Sequence, residues 1–431
     1  MKKIKAVILG YGDRSSRYAN YALKKPEELE IIGCIDVLDY KLADAKNTYN
    51  IANDMLFSSL EDFIKAGVKC DVVINGTMDE LHYETSVKLL EAGYNILLEK
   101  PICPKEEELL HLKKLAEQNN CKVVVCHVLR YTPFYSKIKD LIEAGEIGEI
   151  TSIQMNEHVG IKHFVTSYVR GKWRSEKMCG SGLLLAKSCH DTDLFCWFNN
   201  KTKPKEVYSF GTRSRFCEKN APEGAAEYCY QCKHKDTCLF EAVTFHTRKD
   251  NMPFYTWAGI GKPLDEITLE EKIEFLKHDT YGKCVYKTDM DIVDRQTVSV
   301  QFENGSIATL NVIGAAIGSG RNVHIVGTKG EILGNVHDGR LKMYRYEPVK
   351  QIAVDDYVDI TVAADEQEAI GGHYGGDYFI MKDLVKFLNG LPTSSSTTVI
   401  EDSVNGHLVC YAAEISRKEK RVVDLNEEFG I

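Results

Sequence analysis

The chain has 431 residues, 44% of them apolar and 27% charged, with a formal net charge of −9. That length predicts two domains, each with its own core, and the acidic balance excludes the electrostatic footprint that nucleic acid or an anionic membrane requires. No run approaches the roughly 20 apolar residues of a membrane span, and "MKKIKAVILGYG" is too short and too soon glycine-rich for a signal peptide, so the chain reads as cytoplasmic.

The first 128 residues alternate β-branched runs, "IKAVILG", "LEIIGCID", "CDVVING", "YNILLEK" and "CKVVVCH", with amphipathic stretches such as "HYETSVKLLEAG". This alternation predicts an α/β domain over 1–128, a doubly wound parallel sheet of Rossmann type covered on both faces. From residue 129 the pattern changes. One helical stretch leads into longer alternating strands, "ITSIQMNEHVG", "TVSVQFENGSIATLNVIGAA" and "VHIVGTKGEIL", with turn pairs at Asn304-Gly305 and Asp338-Gly339. A second, α+β domain with a large and mostly antiparallel sheet is therefore expected over 129–431. Two segments near its end, "GGDYFIMKDLVKFLNG" and "TTVIEDSVNGHLVCYAAEISRKEK", have helical periodicity.

After the first strand, "GYGDRSS" sets Gly10, Gly12 and Ser15 at a strand-to-helix turn, with Asp13 and Arg14 between them. The first glycine permits the tight turn, the second lets a pyrophosphate approach the backbone, and a small third residue lets helix and sheet pack closely. Asp36 follows 24 residues after Gly12, at the end of the second strand, where it would accept from an adenosine ribose. Its carboxylate favours NAD over NADP, while Arg14 keeps a 2′-phosphate possible. For Asp36 alone, a solvated strand-end aspartate is the competing explanation.

Two further clusters carry chemistry. "LLEKPICPK" puts Glu99 and Lys100 at a strand end facing the ligand crevice. Around "LLAKSCHDTD", Leu183, Lys187, His190, Leu194 and Trp197 share one helical face, so two ionisable groups interrupt an apolar stripe. Burying them alone would cost on the order of several kcal/mol, so a ligand or a carboxylate should meet them.

In this order, the glycine turn, the acidic strand end, "EKP" near residue 100 and the histidine of "HDTD" resemble the glucose-fructose oxidoreductase, inositol dehydrogenase and MocA family (Gfo/Idh/MocA) over nearly the whole chain. The resemblance implies an NAD(P)-dependent oxidoreductase acting on a sugar, cyclitol or related polyol. It also implies a Rossmann domain joined to an open-faced sheet, assembled as a homodimer or homotetramer. It makes Lys100 and His190 the catalytic pair, and places Thr77 and His82 of "NGTMDELH" and Arg130 of "CHVLRYTP" near the cofactor, together with Glu99. The chain departs from the family pattern at Ala186, where many members hold an aspartate. Lys187 beside it becomes a third catalytic candidate, either lowering the pKa of His190 or replacing the aspartate towards substrate.

His158, Arg170 and Trp173 of "EHVGIKHFVTSYVRGKWR", with Tyr281 and His373, join Lys187 and His190 as candidates for a pocket suited to a polar, acidic substrate. Between about 215 and 280 lies an insertion with Cys229-x2-Cys232-x5-Cys238, either a structural zinc site or a loop of reduced thiols. Two other functions stay open: glycoside cleavage through a retained NAD, and a nucleotide-sensing regulator without chemistry.

Overall fold

A computed structural model describes residues 1–248, 252–361 and 373–430. Strands β1 (Ile4–Leu9), β2 (Leu29–Ile35), β3 (Leu56–Phe57), β4 (Val72–Asn75), β5 (Ile96–Leu98) and β6 (Val123–Val125) form one sheet. Its order is β3-β2-β1-β4-β5-β6, and every pair is parallel. The strands are apolar on both faces, with Val7, Ile8, Val73 and Ile74 all fully buried, as a sheet covered twice requires. Strand order reverses between β1 and β4, which opens a crevice at their carboxyl ends. Gly10, Asp36, Glu99 and His127 all stand at that edge.

The second sheet contains β7 (Ile150–Gly160), β8 (Pro204–Thr212), β9 (Arg295–Phe302), β10 (Ile307–Ala316), β11 (Gly320–Gly327), β12 (Gly330–Asn335), β13 (Arg340–Glu347), β14 (Ile352–Asp359) and β15 (Val423–Asp424). The order is β14-β13-β12-β11-β7-β10-β9-β8-β15, antiparallel except for the β7 and β10 pair. Strict alternation along β9 buries Val298, Val300 and Phe302 and exposes Thr297, Ser299 and Gln301, so one face meets the core and the other stays open. The helices Cys189–Phe198 and Ile400–Glu419 cover the inner face. On the open face, Thr297 donates to Asn311, which donates to Asn156, in a polar row across three strands.

The chain then returns to the first sheet. The helix Gly376–Leu388 puts Tyr378, Ile380, Met381 and Leu384 into the core around β1, and Val125 donates its amide to Thr398 O at 2.8 Å. Between β8 and β9 the insertion folds as short helical pieces around a small cluster of Cys229, Ala242, Trp257, Ile267 and Leu276. Among the described residues no helix is long and apolar enough to cross a membrane.

Candidate functional site

At the nucleotide turn Gly10 has φ +78°, and a Cβ on it would lie 3.0 Å from Gly76 O and 3.1 Å from Thr77 N. Only glycine fits there. At Gly12 an added Cβ would meet nothing within 4 Å, so its backbone faces open space at the start of the helix Asp13–Ala19. Ser15 suits the third position because it closes the turn itself. Its hydroxyl donates to Gly10 O at 2.5 Å and accepts from Gly12 N at 3.0 Å. Asp36 accepts from Tyr11 N at 2.8 Å and Leu38 N at 3.0 Å. A glycine cradle with open space before it, a helix amino end and a fixed carboxylate fit a dinucleotide.

The other residues expected at the cofactor have different environments. Asp13 pairs with Arg17 one turn along the helix. Arg14, expected at a phosphate, instead turns inward: it bonds Glu99 at 2.9 Å, Asp377 at 2.7 Å and His373 Nδ1 at 2.9 Å. Two carboxylates at a guanidinium hold it more tightly than a solvated phosphate contact would. Thr77 donates to Asn75 at 2.8 Å. His82 is buried, with Nδ1 2.7 Å from Pro101 O and Nε2 3.2 Å from Thr77 O, so it ties two crevice loops together. Arg130 also differs from expectation. Its guanidinium bonds Asp193 through two contacts of 2.7 and 2.5 Å, both residues being buried, and so anchors the helix that carries His190.

Lys100 follows β5 in a cis Lys100-Pro101 linkage and donates to Ala186 O at 2.9 Å. The regular helix expected across "LLAKSCHDTD" is interrupted here. Leu184–Ser188 form a wide π-helical turn before the helix Cys189–Phe198 begins. Such a turn breaks the usual i to i+4 ladder, and the Ala186 carbonyl meets Lys100 where an aspartate was missing from the sequence pattern. His190 is 6% exposed, and its Nδ1 is buried without a partner. Burial first, then the Lys100 ammonium, holds its imidazole well below the ordinary range, so the ring is neutral.

Lys187 does meet a carboxylate: Nζ stands 3.5 Å from Glu157, whose other oxygen is 2.8 Å from Arg321 Nε. Arg321 also pairs with Asp191 at 2.8 Å. Burial lowers the Lys187 ammonium pKa, with Glu157 opposing. Burial also lowers His163, and Lys187 is the next cause there; it lowers His373 more weakly, after burial and Arg14.

The remaining pocket candidates divide. His373 stands among Arg14, Asp377 and the Lys187 field. Trp173 donates to Asp79 at 2.9 Å and packs beside Tyr168 and Tyr255 at the rim. His158 lies on the open face of β7, opposite Glu157, because successive strand residues point to opposite sides. Arg170 is fully buried and bonds Lys283 O at 2.8 Å and Phe240 O at 2.7 Å, which fixes the insertion rather than a substrate. Tyr281 stands edge-on to His246 inside the insertion.

The zinc expectation is not supported. Among the described residues no three His, Cys, Asp or Glu stand where they could hold an ion. Burial pushes the Cys229 thiol up, and it lies 3.4 Å from Arg170 Nη2. The loop is ordered by Arg170 and the small apolar cluster instead. Sequence reasoning missed Arg321, Asp191, Tyr255, His127 and His407. Only His127 carried a signal, because it closes a strand at the edge where Asp36 and Lys100 also lie.

This fold and site define an NAD(P)-dependent oxidoreductase with a Rossmann sheet and an open-faced second sheet. The model described as "Oxidoreductase family, NAD-binding Rossmann fold" matches residues 4–127, and "Oxidoreductase family, C-terminal alpha/beta domain" matches residues 139–425. The chain belongs to this Gfo/Idh/MocA family. A putative oxidoreductase, YteT of Bacillus subtilis, is 25% identical over 362 residues, 82% of each chain. Among solved structures, levoglucosan dehydrogenase in complex with NADH and L-sorbose has a TM-score of 0.71 at 17% identity, covering 99% of both chains. The WlbA dehydrogenase of Bordetella pertussis, in complex with NADH and UDP-GlcNAcA, has a TM-score of 0.67 at 15% identity, covering 98% of both.

Proposed function

We propose that the protein oxidises a hydroxyl of a sugar, cyclitol or sugar derivative, with NAD favoured over NADP. The observation that carries this is the Lys100 to Ala186 bond, which seats an ammonium from the cofactor sheet against the helical run that holds a neutral His190. When bound, the nicotinamide supplies the hydride acceptor. The chain's part is to hold and move a proton. Lys100 polarises the substrate oxygen, and neutral His190 takes the hydroxyl proton as general base. Lys187, His373 and Trp173 orient the polyol. Asp36, fixed by two backbone amides, supports the NAD preference because a carboxylate repels a 2′-phosphate.

In this reading residues 1–128 bind cofactor, and 129–431 supply the pocket and the contact between copies. Exposed Phe210, Ile307 and Ile313 on the open sheet face favour a homo-oligomer. The structures of relatives holding NADH with a sugar or a nucleotide sugar support the substrate class.

A panel of sugars, inositols, sugar acids and aryl glycosides with NAD and NADP tests the proposal. Nicotinamide reduction is expected with a polyol and NAD. Replacing His190→Ala should lower kcat by on the order of 10²–10⁴ with NADH affinity unchanged. Glycoside release without reduction, or full turnover by His190→Ala, would overturn it.

A further inference from the structure

Two buried imidazoles lie close together with nitrogens that no described residue satisfies. His127 is 0% exposed, and neither Nδ1 nor Nε2 has a hydrogen-bond partner among the described residues. His190 Nδ1 is in the same state. Leaving such an atom unpaired in the interior is costly, and buried polar groups that stay unpaired in a resting site call for an explanation. The two rings stand edge-on with centroids 5.7 Å apart. Two imidazoles joined by one N–H···N bond have nearly that separation.

The other neighbours of His127 fix the direction. His407 lies 5.3 Å from His127, but Ile102 N–H donates to its Nε2 at 3.0 Å and its Nδ1 donates to Ser403 O at 3.2 Å, so it has no nitrogen to offer. Asp193 Oδ1 stands 3.8 Å from His127 Nε2 and is held by Arg130. A neutral imidazole donates through one nitrogen and accepts through the other.

We propose that His127 is a positioning residue that sets the tautomer of His190: His127 Nε2–H turns to Asp193, and His127 Nδ1 accepts the His190 Nδ1–H. The inference rests on the reading of His190 as general base. It leaves the lone pair on His190 Nε2, the nitrogen that must receive the substrate proton. That proton moves from the hydroxyl to Nε2, the Nδ1–H stays in place, and Asp193 remains ionised behind His127 to support the imidazolium. The charges facing the two rings are otherwise mixed. After burial, Lys100, His127, Arg321 and His373 lower His190, and Arg130 and Lys100 lower His127 with Glu99 opposing; Asp193 Oδ1 is the carboxylate nearest His127 Nε2, at 3.8 Å. The Asp193 link therefore raises the proton affinity of His190 at the moment it is needed.

The test has one arm that needs no substrate. In the full-length protein with NADH bound, 15N-histidine spectra should show His190 with its proton on Nδ1, and His127→Phe should shift it to a mixture of both tautomers. With a substrate from the panel, His127→Phe should lower kcat by on the order of 100-fold with KM and NADH affinity unchanged. His127→Asn, whose amide oxygen can still accept, should recover about tenfold of that loss. The acid limb of the kcat profile should move to lower pH in His127→Phe, because the imidazolium loses its support. A wild-type His190 protonated on Nε2, or a His127→Phe enzyme within twofold of wild type, would overturn the proposal; if His127→Phe does not fold, the spectra of wild type and His127→Asn decide it. Turnover surviving in His190→Ala would instead bring down the general-base reading itself.

Discussion

The two ends of the crevice are built on opposite electrostatic plans. At the nucleotide end each charged side chain is matched: Arg14 lies between Glu99 and Asp377, and Asp36 accepts two amides. At the hydride end, His190 and His127 keep three buried nitrogens without partners, and Lys187 reaches only a distant carboxylate oxygen at 3.5 Å. Satisfied groups give rigidity, whereas unsatisfied ones give a site capacity to bind and to exchange protons. The first end should therefore fail through stability and the second through chemistry.

The largest effect is expected at Arg14. In Arg14→Met two buried carboxylates lose their common partner, and breaking such a pair costs about 3–5 kcal/mol. Denaturant titration should show this as a lower midpoint with unchanged slope. Its pH dependence has a definite sign. Burial pushes the Asp377 and Glu99 carboxyls up, but Arg14, together with His373 at Asp377 and with Lys100 and Tyr18 at Glu99, outweighs it and holds both below the usual range. A carboxyl depressed in the folded state contributes stability above its unfolded value, roughly pH 4, and loses it as pH falls further. Wild type should thus weaken steeply below about pH 4, and Arg14→Met should weaken much less. Equal acid sensitivity in both would show that Arg14 is not the partner that matters.

Much of the nucleotide end was legible because its signals are local. Gly10, Gly12 and Ser15 lie within one turn, and parallel strands buried on both faces read as continuous apolar runs. The hydride end was legible in its residues but not in their partners. Lys100 and His190 could be picked out as candidates, yet the carbonyl that meets Lys100 depends on a π turn that no local spacing shows. Glu157 and His158 are adjacent polar residues, so composition could not tell which faced inward. Arg170 looked like a substrate donor, but its acceptors lie 70 and 113 residues away along the chain. Arg321 carries no motif at all, and only pairing of β11 with β7 brings it to Glu157.

Two glycines at the matched end separate fold from function. Gly10→Ala forces a side chain into φ +78° against Gly76 O at 3.0 Å, a strain of about 1–2 kcal/mol, and should lower both the thermal midpoint and NADH affinity. The Cβ of Gly12→Ala meets nothing within 4 Å among the described residues, so its stability should stay within about 0.5 kcal/mol. Its methyl occupies the space left for the pyrophosphate, and NADH titration should show affinity lowered by about tenfold, 1.4 kcal/mol. A Gly12→Ala protein that binds NADH as well as wild type would mean that the open space is not the phosphate cradle.

A small structural effect should also come from Lys187, although it lies at the other end of the crevice. In Lys187→Met, Glu157 keeps Arg321 at 2.8 Å, so the loss of stability should be about 1 kcal/mol or less. After burial, Lys187 is the largest influence on His163, but it is not among the causes that lower His190, which are led by burial and Lys100. The proposed role of Lys187 is therefore with substrate rather than with the base. Steady-state kinetics of Lys187→Met should show KM raised about tenfold with kcat within about threefold of wild type, the pattern of a lost binding contact. A fall in kcat at unchanged KM would instead place Lys187 in the proton-transfer step, and would make the π turn that presents it part of the chemistry.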